Sequence, residues 1–161
     1  KDEIIDIGND NAPGQFVISG HNSIVDKVIA NHKAFGIKRA IKLPVSAPFH
    51  CRLMEKAREN MQSYIQDLEL LSPKLILVNN VGAAPLTETN KIKDSLVEQI
   101  TNTVRWRESI DTMCDLGVDN FIEIGAGNVL SGLVKRINKT VNSSSIQNIE
   151  NIENYINILE G

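Results

Sequence analysis

Cysteine and surplus positive charge are both scarce in this chain, and each shortage excludes something. The 161 residues include two cysteines, Cys51 and Cys114. Two are too few for a disulfide framework, and their spacing is not that of a metal site, so no metal is expected. A reducing, cytoplasmic setting fits best. Lysine and arginine number 17 against 20 acidic residues, a net charge of −3. Proteins that draw affinity from phosphate contacts carry a basic excess, so no nucleic acid is expected as a partner. No stretch is long and apolar enough to cross a bilayer, so no membrane partner is expected either. Lys1-Asp2-Glu3-Ile4 does not read as a signal peptide and lacks an initiator methionine, which predicts a processed, truncated or internal segment. No Gly-x-Ser-x-Gly occurs; Gly20-His21-Asn22-Ser23-Ile24 has the wrong spacing and no following glycine. The strained elbow that displays a serine nucleophile is therefore missing.

What is present is a chain 42% apolar, enough for one cored domain or parts of two. Residues 15–19 read as a strand introduced by the turn Ala12-Pro13-Gly14. Asn22 or Ser23 can cap a helix bearing Ile24, Val25, Val28, Ile29 and Phe35, with Gly36 as its stop. Residues 39–43 read as a second strand. A long helix is predicted from about Cys51 to Leu71, with Leu53, Met54, Ala57, Met61, Tyr64, Ile65 and Leu68 on a core-facing stripe. Leu75-Ile76-Leu77-Val78 reads as a strand buried on both faces. Two further helices carry Ile92, Leu96, Val97, Ile100 and then Trp106, Ile110, Met113, closed by Gly117. Residues 120–124 read as a strand, Gly125-Ala126-Gly127 as a turn, and Val129 to Ile137 as a helix. Asn142-Ser143-Ser144-Ser145 reads as a polar stretch before a closing helix. Alternating strands and helices predict an α/β fold with a mostly parallel sheet.

The run Pro44-Val45-Ser46-Ala47-Pro48-Phe49-His50-Cys51-Arg52-Leu53-Met54 stands out for chemistry. It places His50 at a loop–helix junction, where reactive groups are often displayed. The two prolines limit backbone freedom and bias the segment toward extended geometry. An imidazole held there can move protons near neutral pH, and Phe49 would wall it from water. A structural histidine is the plainer reading. Adjacent residues of an extended segment point oppositely, so Cys51 is badly placed to pair with His50 and reads as a small buried apolar residue. Gly125-Ala126-Gly127 resembles the glycine turn of nucleotide- or S-adenosylmethionine-binding folds, but Leu130 occupies the third glycine position and no acidic residue follows at the required distance. A tight strand-to-helix turn is the alternative. His21 and His32 read as solvated, and Arg105 and Arg107, flanking Trp106, as packing and surface charge.

Five blocks stand in order along the chain. They are Asn11-Ala12-Pro13-Gly14-Gln15-Phe16-Val17-Ile18-Ser19-Gly20-His21; Lys38-Arg39-Ala40 through Met54; Val78-Asn79-Asn80-Val81; Leu96-Val97-Glu98-Gln99-Ile100 with Val104-Arg105-Trp106; and Glu123-Ile124-Gly125-Ala126-Gly127-Asn128-Val129-Leu130-Ser131-Gly132-Leu133. In order and spacing this set resembles the malonyl-CoA:acyl carrier protein transacylases and the related acyltransferase domains of fatty acid and polyketide synthases, over their carboxy-terminal half only.

The resemblance implies a fold and a role for each residue it covers. Residues 1–43 would be the later part of a ferredoxin-like small subdomain, and residues 44–161 the later part of an α/β hydrolase-like large subdomain. His50 would be the general base. Gln99 would offer its backbone carbonyl to the other imidazole nitrogen, the orienting role an aspartate has in other triads. Phe49 would shape the acyl pocket in favour of malonyl, and Asn11 would lie near the rim. The reaction implied is malonyl transfer from malonyl-CoA to the phosphopantetheine thiol of acyl carrier protein through a serine ester, with no metal or redox cofactor. The serine belongs to the amino-terminal half of the family, which would then be a partner. Lys38, Arg39, Lys42 and Arg52 read either as a carrier-protein contact or as a solvated face. An inactive remnant or interaction fragment, and an S-adenosylmethionine- or nucleotide-binding domain, remain as alternatives.

Overall fold

The computed structural model describes residues 2–160; Lys1 and Gly161, the outer ends of the two expected subdomains, lie outside the described residues. The backbone is mixed α/β and divides into two compact units, Lys1–Ser109 and Ile110–Gly161.

The first unit begins with an antiparallel hairpin of β1 (Ile5–Ala12) and β2 (Gln15–Gly20). Pro13 supplies a fixed φ and Gly14 a φ of 73°, which suits this reversal. The pairing skips Gly8 and Asn11, so β1 is bulged at both. β1 is missing from the sequence-based expectation because Gly8-Asn9-Asp10-Asn11 is turn-like chemistry. It becomes a strand because β2 pairs with it and because Asn9 bridges Val104.

In α1 (Asn22–Ala30) the N-cap position falls to His21 rather than Asn22 or Ser23, and no side chain caps the helix. Ile24, Val25, Val28 and Ile29 are half-buried, whereas Phe35 is exposed. The two histidines read as solvated have partners: His21 Nδ1 accepts the Ile4 N–H at 2.9 Å, and His32 Nδ1 lies 2.8 Å from the Ile29 carbonyl.

Residues 39–43 form no strand. A strand needs a neighbour to complete its ladder, and among the described residues none pairs with this segment, which leaves Ile41 and Leu43 exposed. The predicted long helix is a 3₁₀ turn (Arg52–Met54) followed by α2 (Glu55–Gln66), and it stops short of Leu71. Of its expected stripe only Ile65 is buried; Leu68 is exposed and Leu71 is 87% exposed. Helices in proteins persist where an apolar face packs, and this one ends where packing ends. Leu75 is 82% exposed, so the run expected to be buried on both faces contributes only β3 (Leu77–Val78), paired antiparallel with β4 (Pro85–Leu86). α3 (Thr89–Glu98) and α4 (Trp106–Asp115) follow the expected periodicity.

The second unit holds β5 (Asn120–Ile124), α5 (Val129–Ile137), β6 (Asn142–Ile146) and α6 (Ile149–Glu160). β5 and β6 pair in parallel, with α5 as the crossover. β6 replaces the expected polar stretch. Its serines are held by the pairing with β5 and by two hydroxyl bonds, Ser143 Oγ to the Ser131 carbonyl at 3.2 Å and Ser131 Oγ to the Ser144 carbonyl at 2.9 Å. The described strands thus form three two-stranded sheets, of which one is parallel, instead of a mostly parallel sheet.

Candidate active site

His50 follows an irregular segment and precedes the 3₁₀ turn. Its φ is 57°, a left-handed conformation rather than the extended one that the flanking prolines predict. For a residue with a Cβ this costs about 1–2 kcal/mol, so surrounding contacts must hold it. Cys51, directly after it, is extended and fully buried. Burial pushes its thiol pKa up, which disfavours the thiolate a nucleophile needs.

The half-buried imidazole presents Nδ1 at 2.7 Å from the Gln99 backbone carbonyl. A carbonyl oxygen only accepts, so Nδ1 carries the proton and donates it. The lone pair of the neutral ring is then on Nε2, for which the described residues supply no hydrogen-bond partner. Gln99 is the C-cap of α3, where carbonyls lack intrahelical donors, and His50 satisfies this one. The Gln99 side chain is held as well: Asn80 Nδ2 donates to its Oε1 at 3.0 Å. Asn80 is fixed in turn by the Arg105 N–H, which donates to its carbonyl at 2.8 Å. Arg105 also donates to the Val81 and Gly82 carbonyls, each at 3.2 Å, and pairs with Glu108. It pins the 80–82 turn, a more specific task than surface charge.

The other two candidate residues are less engaged. Phe49 is 48% exposed, so within this chain it does not wall the imidazole from water. Asn11 stands half-buried at the hairpin end of β1, tied by hydrogen bonds to neither His50 nor Gln99. The strand rise puts it roughly 10 Å along β1 from Gly8, the position that packs near His50. Asp6, Gly8 and Asn80, which touch His50's surroundings or Gln99, escape a reading of the sequence. Their partners lie far along the chain, and none belongs to a reactive residue type at a telling spacing.

The glycine turn is built differently. Gly125 and Gly127 have φ of 146° and 92°. Beyond them, the Glu123 carboxylate accepts the N–H groups of Leu130 at 3.2 Å and Ser131 at 2.8 Å, and the Ser131 hydroxyl at 2.8 Å. The Ser131 backbone bond is the main cause holding the Glu123 pKa below its ordinary value. The Gly127 N–H donates to Gln147 Oε1 at 3.2 Å. A nucleotide phosphate would need these same donors at the start of α5, and the chain's own side chains occupy them. Among the described residues no group of three or more His, Cys, Asp or Glu is arranged to hold a metal ion, and no helix is long and apolar enough to cross a membrane.

The described residues are thus a mixed α/β arrangement with one imidazole oriented by a backbone carbonyl. Comparison with known proteins makes the family specific. No family model matches the chain. The malonyl CoA-acyl carrier protein transacylase of Staphylococcus aureus (strain MSSA476) is 42% identical over 154 residues, which cover 96% of this chain and 50% of the relative. The crystal structure of an acyl-carrier-protein-S-malonyltransferase from Bartonella henselae superposes with a TM-score of 0.90 at 39% identity, over 98% of this chain and 50% of the other. A malonyl-transacylase solved in complex with its type II PKS acyl-carrier protein superposes with a TM-score of 0.92 at 35% identity, over 97% and 50%. The chain belongs to the malonyl CoA-acyl carrier protein transacylase family and matches its carboxy-terminal half. It spans about half the length of the curated relatives it matches.

Proposed function

We propose that this chain supplies the histidine arm of a malonyl-CoA:acyl carrier protein transacylase, as the later parts of a ferredoxin-like subdomain (residues 1–43) and a hydrolase-like subdomain (residues 44–161). The observation that carries the reading is the Nδ1–H bond from His50 to the Gln99 carbonyl, which leaves Nε2 open as a base. In this role His50 takes the proton of a serine on the amino-terminal half as that serine attacks the malonyl thioester. It returns the proton to the departing coenzyme A thiolate, then deprotonates the carrier protein's phosphopantetheine thiol; the thiolate attacks the serine ester, the bond from the serine oxygen to the acyl carbon breaks, and His50 hands the thiol's proton to that oxygen. Gln99 keeps the ring in the required tautomer, Phe49 shapes the acyl pocket, and Asn11 lies toward its rim. Each step is proton and acyl transfer, so the chemistry calls for no metal or redox cofactor. A cytoplasmic site suits two free cysteines.

The amino-terminal half is the expected physical partner as well as the source of the serine. Leu71, Leu75 and Ile124, each more than 80% exposed, are large apolar side chains of the kind that contact surfaces cover. For the acidic carrier protein, Lys38 and Arg39 are the more available cations. Lys42 and Arg52 already pair with Asp26 and Asp6.

The test is to join the amino-terminal half of the Staphylococcus aureus relative to this chain and to follow radiolabelled malonyl from malonyl-CoA to carrier protein. Transfer by the joined protein, none by the 161-residue chain alone, and loss with His50→Gln are the expected results. Transfer by the chain alone, or full activity of His50→Gln, overturns the reading. Transfer by the joined protein that is lost in His50→Gln separates this role from the remnant alternative, in which the joined protein stays inactive.

A further inference from the structure

His50 and Gln99 meet across a sequence separation of 49 residues, and His50 holds a left-handed backbone to do so. β1 contacts the surroundings of both. On the His50 side, the Asp6 carboxylate accepts the Arg52 backbone N–H at 3.0 Å, two residues past the histidine. The same carboxylate receives the Arg52 guanidinium through Nε at 3.0 and 3.1 Å, and through a terminal nitrogen at 2.8 Å. Gly8 lies against this segment: a Cβ there would sit 3.3 Å from the Phe49 carbonyl oxygen and 3.7 Å from the His50 Cβ.

On the Gln99 side, β1 grips the segment that leaves α3. The Ile7 carbonyl accepts the Thr103 hydroxyl at 2.6 Å, and the Gly8 carbonyl accepts the Val104 N–H at 2.8 Å. The Asp10 N–H then donates to the Val104 carbonyl at 2.9 Å. One strand therefore ties down the chain just after each member of the pair.

We infer that β1 is the alignment element of the site and that Asp6, through Arg52, is the positioning residue for the His50 imidazole. Asp6 touches no reacting atom; it fixes the backbone exit from His50, so that Nδ1 meets the Gln99 carbonyl. Its consequence for acyl transfer rests on the function proposed above, whereas its consequence for the ring does not.

The first measurement uses the 161-residue chain with ¹⁵N-labelled histidine, and reads the tautomer and solvent protection of the His50 ring by NMR. The unaltered chain should show one protected Nδ1–H form. Asp6→Ala should give a mixture with Nε2–H and faster exchange of the ring proton. Asp6→Asn, which keeps an acceptor for the Arg52 amide, should restore part of the original signal. Arg52→Met reaches the same ion pair without altering β1, and decides the matter if Asp6→Ala does not fold. An unchanged Nδ1–H signal in Arg52→Met and in any folded Asp6→Ala overturns the inference. So does a changed signal that Asp6→Asn fails to rescue while the β1–β2 amides stay as in the unaltered chain.

The second measurement uses the joined transacylase. Asp6→Ala should lower kcat roughly 10- to 100-fold with little change in KM. A fall confined to thermal stability, with kcat intact, marks Asp6 as merely structural and overturns its role. If the ring responds as expected but the unaltered joined protein transfers no malonyl, the proposed function fails and the positioning inference stands.

Discussion

His50 and Gly127 both stand where a loop turns toward a helix, yet the two junctions are made in different ways. The His50 junction is tied to distant residues: Asp6 holds the residue two beyond it, and Gln99 holds its ring. Among the described residues the other ring nitrogen has no hydrogen-bond partner. The Gly127 junction is closed by residues 4 before it and 20 after it. Glu123 takes the first amides of α5, and Gln147 takes the Gly127 amide. In the first case a strained non-glycine backbone carries an imidazole. In the second, glycines carry the positive φ and no reactive side chain is displayed. A strand-to-helix turn rich in glycine thus reads as a ligand site only while its amides are unoccupied, whereas the His50 ring is oriented by contacts with residues remote in the sequence.

The comparison can be tested at several points. The largest effect should come from His50→Gln in the joined transacylase, a loss of acyl transfer of about 10²- to 10⁴-fold, as expected for removal of a general base. Measured by the same assay, Glu123→Gln should leave the rate within a few-fold, because that junction takes no part in the chemistry. Equal losses would break the contrast.

Next in size is selectivity. A ring at Phe49 would crowd an α-methyl branch, and overpacking typically costs about 1–3 kcal/mol. Phe49→Ser should therefore raise the use of methylmalonyl-CoA relative to malonyl-CoA by roughly 5- to 150-fold in a competition assay. An unchanged ratio would remove Phe49 from the pocket.

Gly127→Ala should cost about 1–2 kcal/mol of stability in thermal melts. A Cβ there has open space around it, so the cost is backbone strain alone. The His50–Gln99 resonances should not move.

The smallest effect is on the acid side. The carboxyls of Glu123 and Asp6 both titrate below their ordinary values. The Ser131 amide is the main cause for Glu123, and the Arg52 hydrogen bond holds Asp6 at about 2. A depressed carboxyl contributes stability that is complete above its unfolded value and is lost as pH falls through its folded value. For Asp6 that window runs from an ordinary 3.8 down to about 2. For Glu123 it starts at an ordinary 4.5 and extends downward. Melting temperature plotted against pH should therefore be flatter below pH 4.5 in Glu123→Gln than in the unaltered chain. Identical slopes would show that the carboxylate does not close the junction.

Much of the second unit was legible in the sequence. β5 and α5 occupy the expected residues, because Asn120 to Ile124 is bounded by glycines and Val129 to Ile137 repeats at helical spacing. β1 and β6 were not legible. One contains Gly8-Asn9-Asp10-Asn11 and the other Asn142-Ser143-Ser144-Ser145, residues that favour turns when nothing pairs with them. The opposite error arose at residues 39–43, 68–71 and 75–76, where apolar patterning predicted regular structure and the described residues offer no surface to bury it.

By itself the sequence determined which segments could be helices, where glycine and proline would reverse the chain, that no disulfide framework exists, and which family its ordered blocks resemble. These are local properties of backbone and side-chain chemistry. The contact between the His50 ring and the Gln99 carbonyl was implied by the family resemblance, whereas tertiary structure alone decided that His50 would adopt a left-handed backbone and that Asp6, Gly8 and Asn80 would surround the pair. It also decided that the glycine turn would be closed by Glu123. The reason is physical: hydrogen bonds between residues remote in sequence depend on where the intervening chain folds, and residue spacing carries no record of that.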